Sequence, residues 1–241
     1  MRGIVSYNNH RVKNKMKSFQ EFFISEGVSD QGIFKAVFLA GGPGSGKSFV
    51  SKNTLPNAIL GLKVVNSDEV LEFLLKKHNV GSNMNLMSPD ELKKFADIRD
   101  KAKKITTKRE EIYLEGRLGL VIDGTGRDYD KIAKKKAELE KLGYDTYLLF
   151  VNTSLEVAKE RNRKRARSVS DDLVVQYWND VQSNIGRFQS LFGSQNFTVV
   201  DNNNADEAIL NDVFKGIKRF VDKPPRSQQA RQWIAARSGN K

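Results

Sequence analysis

Apolar residues along this chain fall into two kinds of run. Short unbroken blocks read as strands: Phe34 to Ala40, Leu62 to Asn66, Leu118 to Asp123, Thr146 to Val151 and Phe197 to Asp201. Between them apolar positions recur three and four residues apart, which predicts helices near 47–53, 68–78, 90–115, 128–142, 154–165, 171–190 and 205–221. The longest opens on Ser88-Pro89-Asp90-Glu91, a capping box with proline at the first helical position. Short apolar strands separated by helices argue for an α/β fold with a five-stranded parallel sheet covered on both faces.

Two segments lie outside that alternation. Val12, Met16, Phe19, Phe22 and Phe23 sit at helical spacing, so 13–26 is expected to be an amphipathic helix, followed by a turn bracketed by Gly27 and Gly32. After Pro224-Pro225 come Arg226, Arg231, Arg237 and Lys241 and no acid. That composition suggests a basic tail outside the core, or a helix docked through Trp233 and Ile234. The resulting division is an N-terminal helix and linker over 1–32, a core domain over 33–222 and a basic tail over 223–241.

Composition narrows the chemistry. Among 241 residues there is no Cys, which excludes disulfides, thiolate metal sites and cysteine nucleophiles, and His10 and His78 are too few for a two-His metal helix. The longest uncharged run, Phe188 to Val200, is thirteen residues and includes Ser, Gln, Gly and Asn, so no membrane span is expected. Polar residues follow Met1-Arg2, and no secretory leader is expected. With 41 Lys+Arg against 29 Asp+Glu the net charge is +12, which suits a polyanionic partner, nucleic acid or a phosphorylated ligand, or simply solubility.

The motif that decides between these is Gly41-Gly42-Pro43-Gly44-Ser45-Gly46-Lys47-Ser48. It follows an apolar strand and leads into a predicted helix. The glycines let successive backbone N–H groups turn toward a phosphate, and the helix adds its positive dipole end. Lys47 would neutralise the β- and γ-phosphates and the Ser48 hydroxyl would join the shell of a Mg²⁺ ion, so the chain is expected to bind a nucleoside triphosphate.

Two carboxylates lie at strand ends, where ligands of open α/β sheets sit. Asn66-Ser67-Asp68 closes the second strand: Asp68 is placed either to take a proton from an acceptor hydroxyl or, with Ser67, to cap the next helix. Asp123-Gly124-Thr125-Gly126 closes the third, and Asp123 is placed either to hold a water on Mg²⁺ or to end the strand in a turn. The N-K-x-D signature of guanine recognition is absent. The helix after the fourth strand carries Arg161, Arg163, Lys164, Arg165 and Arg167; Arg161 and Arg165, four apart, can face one side, as lid cations or as a solvated basic face.

Four blocks together resemble the P-loop polynucleotide 5′-hydroxyl kinases of phages, with the zeta-toxin kinases as relatives: Gly42 to Ser48, Asn66-Ser67-Asp68, Val121-Ile122-Asp123-Gly124-Thr125, and Glu160 to Arg165 followed by a helix with Val174, Tyr177 and Trp178. They span about 34–190 and correspond to the kinase part alone, since no D-x-D-x-T phosphatase pattern follows residue 190. The resemblance implies a P-loop kinase fold using ATP and Mg²⁺. Gly42, Pro43, Gly44, Ser45, Gly46, Lys47, Ser48 and Arg163 would contact the nucleotide, and Ser48 and Asp123 the metal. Lys47, Asp68 as general base, and Arg165 with Arg161 on the lid would carry catalysis. The implied acceptor is a polynucleotide 5′-hydroxyl, of DNA or RNA, and the implied location the cytoplasm, that of the host if the chain is of phage origin. Tail residues Arg226, Arg231, Trp233 and Arg237 would suit backbone neutralisation and base stacking. Against that reading, the family's arginine three residues after the base is Leu71 here. The alternatives are a kinase of a nucleoside or nucleotide-sugar, as in the zeta-toxin branch, and a nucleic-acid-binding or virion-associated ATP-binding protein with little transfer activity. In such kinases the stretch matching Asn202-Asn203-Asn204 often meets the purine; a plain polar loop is the other reading.

Overall fold

The computed structural model describes residues 28–82, 87–165 and 168–238. The amphipathic helix expected over 13–26 lies outside them. Five strands, β1 (Lys35–Ala40), β2 (Leu62–Val65), β3 (Gly119–Asp123), β4 (Asp145–Asn152) and β5 (Phe197–Asp201), pair in parallel in the order β2-β3-β1-β4-β5. The helices are α1 (Lys47–Thr54), α2 (Asn57–Leu60), α3 (Ser67–Lys77), α4 (Pro89–Glu115), α5 (Tyr129–Lys141), α6 (Leu155–Arg163), α7 (Asp171–Phe192), α8 (Glu207–Val221) and α9 (Gln228–Ser238). Every predicted strand and each helix of the core is present within a few residues; α2, a 3₁₀ turn at Ser194–Asn196 and the full extent of α9 were not predicted.

The central strands are buried on both faces, which is why they read as continuous apolar runs. Their alternate residues feed two cores. Val37, Leu39, Val121, Tyr147, Leu149 and Val151 face a layer closed by Val50 of α1 and by Leu210, Ile217 and Phe220 of α8. Ala36, Phe38, Ala40, Leu120, Leu148 and Phe150 face the other layer, closed by Ile132 and Leu139 of α5 and by Val181 and Phe188 of α7. A third cluster lies between α3 and α4, with Leu71, Leu74 and Leu75 against Phe95, Ile98 and Ala102.

Strand order places the site. From β1 the chain crosses leftward to β2, whereas from its neighbours β3 and β4 it proceeds rightward. Right-handed crossovers then put the following helices on opposite faces, and a crevice opens at the carboxyl end of β1.

The segment after Pro225 is not a tail outside the core. Ala230 of α9 is fully buried, Trp233 and Ile234 pack on the second core, and the Trp233 ring meets Phe34 edge-on at 5.5 Å between centroids. Its described cations have partners within the fold: Arg226 Nε lies 3.1 Å from Asp145, Arg231 donates to the carbonyls of Pro225 and Arg226, and Arg237 stacks on Trp233 at 4.1 Å. Trp233→Ala is expected to lower stability by about 1–2 kcal/mol, the worth of a partly buried aromatic, read as a lower thermal midpoint with nucleotide affinity unchanged.

Candidate active site

The loop after β1 owes its course to two glycines. Gly44 and Gly46 have φ of 74° and 81°. A Cβ at Gly44 would stand 2.3 Å from the Ala158 carbonyl oxygen, and one at Gly46 would stand 2.2 Å from Asn202 Nδ2. The loop is thus pressed between α6 and the end of β5, and only glycine fits. Asn202, itself buried, donates to the Ser45 carbonyl at 2.7 Å. The Asn203 side chain accepts from Ser154 N–H and its carbonyl accepts from Arg161 Nη2 at 3.0 Å. The loop after β5 is therefore a brace for the glycine-rich turn, a job its three asparagines did not announce.

Lys47 begins α1, its ammonium donating to the Gly41 carbonyl at 2.7 Å across the mouth of the loop. Burial lowers its pKa and the Arg165 charge lowers it further, while Asp123 and Asp68 pull it back up. Ser48 is exposed one residue into the helix. Two buried polar atoms at the loop, Ser45 Oγ and Arg161 Nη1, the latter beside Gly46, have no partner among the described residues.

The end of β2 resolves the first carboxylate. Asn66 is the N-cap of α3: its Oδ1 accepts from Asp68 N–H at 2.7 Å while its Nδ2 donates to Asp123 Oδ2 at 2.8 Å. Asn66 therefore caps the helix and ties the ends of β2 and β3 together. Asp68 is relieved of capping, and its carboxylate has no hydrogen bond or ion pair among the described residues. Asn66→Ala is expected to cost about 1 kcal/mol from the lost cap, seen in thermal melts, and to release Asp123 from its tie to the end of β2.

Asp123 ends β3 with Oδ1 buried and without a partner among the described residues. Burial raises its pKa, the Asp68 and Glu69 charges raise it further, and Lys47 opposes them. Lys47 thus sits in the field of Asp68, Asp123 and Arg165, and all four line one cavity of about 850 Å³.

Among the described residues no group of three His, Cys, Asp or Glu could cage a metal. Asp123 offers an oxygen with no partner among the described residues and Ser48 an exposed hydroxyl, and a Mg²⁺ ion held by them would take its other ligands from water and phosphate, as is usual for this ion.

The basic run divides by position. Arg165, exposed just after α6, lines the cavity. Arg161 instead lies half-buried beside the glycine loop, held by Asn203. Arg163 points to solvent and pairs with Asp171, its Nε at 3.3 Å, and Lys164 pairs with Glu160. The segment carrying Arg165 is tethered by buried Asn162, whose Nδ2 donates to the Val169 carbonyl at 2.7 Å and whose Oδ1 accepts from Val169 N–H at 3.2 Å. Arg167 lies outside the described residues.

One residue escaped the sequence reading. Arg127, two positions after Thr125, lines the cavity with its guanidinium 3.5 Å from the Tyr177 ring centroid and its Nε 3.4 Å from Asp180. Helix α7 fixes that loop, since Asn184 Nδ2 donates to the carbonyls of Gly126 and Arg127 at 3.1 and 2.9 Å. The only sequence signal was a cation soon after a strand-ending Asp-Gly-Thr. Leu71, the position where an acceptor-side arginine was sought, is 4% exposed and packs against α4. It has no access to an acceptor. On that side the wall is Lys103, Thr106, Thr107 and Glu110 of α4 and Lys131, Lys134 and Lys135 of α5, Glu110 being ion-paired with Lys135.

Among solved structures, the chain is similar to that of the AvrRxo1-ORF1:AvrRxo1-ORF2 complex with sulphate ions, at 13% identity, TM-score 0.51, and coverage of 91% of this chain and 88% of that one. A gluconokinase from Sinorhizobium meliloti 1021 aligns at 13% identity and TM-score 0.46, over 79% of this chain and 95% of that one. A chain of the PezAT chromosomal toxin-antitoxin system of Streptococcus pneumoniae aligns at 16% identity and TM-score 0.46, over 85% and 84%. No curated protein matches the chain. A family model described as an AAA domain matches residues 37–191, from within β1 to the end of α7, and so takes in the glycine loop, both strand-end carboxylates and the arginine-bearing helix. The protein belongs to that AAA domain family.

Proposed function

We propose that the protein is an ATP-dependent kinase that transfers the γ-phosphate to a hydroxyl of a small molecule, a nucleoside, nucleotide-sugar or similar metabolite. The observation that carries this reading is the convergence of Lys47, Asp68, Asp123, Arg127 and Arg165 on one cavity at the carboxyl end of β1. A volume of about 850 Å³ is that of a metabolite-sized site. The tail cations that would have favoured a polymer are instead bound to Asp145, backbone carbonyls and Trp233.

The loop amides and Lys47 hold the triphosphate. Ser48 and Asp123 would hold Mg²⁺, which would neutralise phosphate charge when bound. Asp68, whose carboxylate has no partner among the described residues, takes the acceptor proton as the acceptor oxygen bonds to the γ-phosphorus and the bond to the β–γ bridging oxygen breaks, releasing ADP. Arg165 and Arg127 both line the cavity and spread the charge of the transferred group. Arg127 is held rigid by Tyr177 and Asp180, whereas Arg165 rides on the segment tethered by Asn162 and closes over the nucleotide. Arg161 supports the loop rather than the acceptor.

A polynucleotide 5′-hydroxyl is the second reading, favoured by Lys103, Lys131 and Lys134 along the cavity wall. Labelled ATP offered with nucleosides, nucleotide-sugars and 5′-hydroxyl oligonucleotides separates the two. Label in a metabolite alone is the expected outcome; label in the oligonucleotide alone would transfer the assignment to polynucleotide kinase.

A further inference from the structure

A second cavity of about 610 Å³ lies at the other end of the sheet. Lys35 at the start of β1 lines it, so the length of that strand, roughly 17–20 Å, separates it from the glycine loop. It is walled by β4, β5, α8 and the segment leading into α9.

Its charges do not cancel. Four cations, Lys35, Arg219, Lys223 and Arg226, face it with two carboxylates, Asp145 and Asp212, a surplus of two positive charges. Both carboxylates already have cations. Asp145 accepts from Lys35 Nζ at 2.7 Å and from Arg226 Nε at 3.1 Å, and Asp212 lies 3.2 Å from Lys215. Among the described residues Arg219 spends only Nε, on the Lys215 carbonyl, which leaves its terminal nitrogens available there. Lys223 has no hydrogen bond or ion pair among the described residues. Lys35 is buried to 1% exposure at the base, its ammonium 5.1 Å from the Phe220 ring centroid, and burial lowers its pKa despite Asp145. A buried ammonium beneath a surplus of positive charge is a costly arrangement for a purely structural site, and an anion in the cavity would offset it.

The remaining lining sets apolar side chains beside the polar Gln195, Asn196 and Thr198. Ile209, 41% exposed, and Val213 stand with Phe220 on α8. Cations and apolar side chains lining one cavity match a ligand with a charged head and an organic body.

We propose that this cavity binds a small phosphomonoester, its dianionic phosphate held by Arg219, Lys223 and Arg226 and its organic part lying on Ile209, Val213 and Phe220. The surplus of two charges and the forked guanidinium groups suit a phosphate better than a carboxylate. The concave volume suits one metabolite and not a polymer. Because Arg226 precedes α9, the bound phosphate also strengthens the docking of that helix.

The test uses the full chain saturated with Mg²⁺ and a non-hydrolysable ATP analogue, so that the glycine loop is filled, titrated calorimetrically with ribose 5-phosphate, inorganic phosphate and acetate at constant ionic strength. Saturable binding of ribose 5-phosphate is expected, with inorganic phosphate weaker and acetate silent. Arg219→Ala with Lys223→Ala should weaken ribose 5-phosphate about tenfold or more. Both side chains are exposed, and unchanged thermal midpoints, with Lys223→Gln alone as a milder variant, exclude misfolding. No saturable binding, or binding indifferent to these variants, overturns the proposal. Equal affinity for inorganic phosphate overturns the phosphomonoester assignment in favour of a free-phosphate site, and comparable binding of acetate overturns the dianion assignment.

Discussion

Asp68→Asn is expected to lower kcat for phosphoryl transfer by about 10²–10⁴-fold, the usual worth of a positioned general base, with nucleotide affinity nearly unchanged. The variant keeps the shape of the side chain and the backbone N–H that donates to Asn66, so the cap of α3 survives. What disappears is the carboxylate that would accept the acceptor proton. One of the charges that raise the pKa of Asp123 disappears with it, so Asp123 ionises more readily in the variant. Metal-dependent ATP binding should therefore hold or improve while turnover collapses, a split between KM and kcat that an unfolded or misassembled site would not give. The measurement is initial rates with whichever acceptor is labelled in the panel, beside direct titration of Mg²⁺-ATP. Full activity in Asp68→Asn would remove Asp68 from the reaction.

Much of this fold was legible because a parallel sheet covered on both faces needs strands that are apolar throughout. Phe34 to Ala40 satisfies that demand and runs directly into the glycines that only a phosphate-type loop needs. The carboxylates were located for the same reason, since strand ends are where such folds place ligands. Their roles were less legible. Asn66, Ser67 and Asp68 are all competent caps, and only the geometry shows that Asn66 performs the capping and leaves Asp68 free. Pairings between distant segments were out of reach. Arg127 meets Tyr177 and Asp180 because α7 packs across the loop after β3, and neither partner marks the other in the sequence. The basic run from Arg161 to Arg165 looked uniform, yet a helix turns each successive side chain by about 100°, so Arg161 reaches the glycine loop while Arg163 meets solvent. The C-terminal segment read two ways, its arginines suggesting a basic arm and Trp233 with Ile234 a docked helix; the second is the arrangement found, with Ala230 completing the docked face.

Lys47→Ala is expected to reduce kcat/KM by about 10²–10³-fold or more, a loss of about 2.7–4 kcal/mol of transition-state stabilisation. The ammonium is already placed by the Gly41 carbonyl, within the field of Asp68, Asp123 and Arg165, so little reorganisation is needed as charge builds on the phosphates. Lys47→Arg should not rescue it. The planar fork is wider than an ammonium and would meet the loop backbone that Lys47 now touches. Stability separates this role from a structural one. Burial lowers the pKa of Lys47, which means the folded protein bears a cost for keeping the side chain charged. Deleting the charge removes that cost, so the thermal midpoint of Lys47→Ala without nucleotide should hold or rise, while stabilisation by Mg²⁺-ATP should shrink with the lost affinity. A variant that lost activity and thermal midpoint together would show Lys47 to be a packing residue, and a variant that kept wild-type transfer would exclude the glycine loop from catalysis. The expected pattern, a protein at least as stable with its turnover gone, belongs to a lysine held against its own burial cost for the sake of the phosphates.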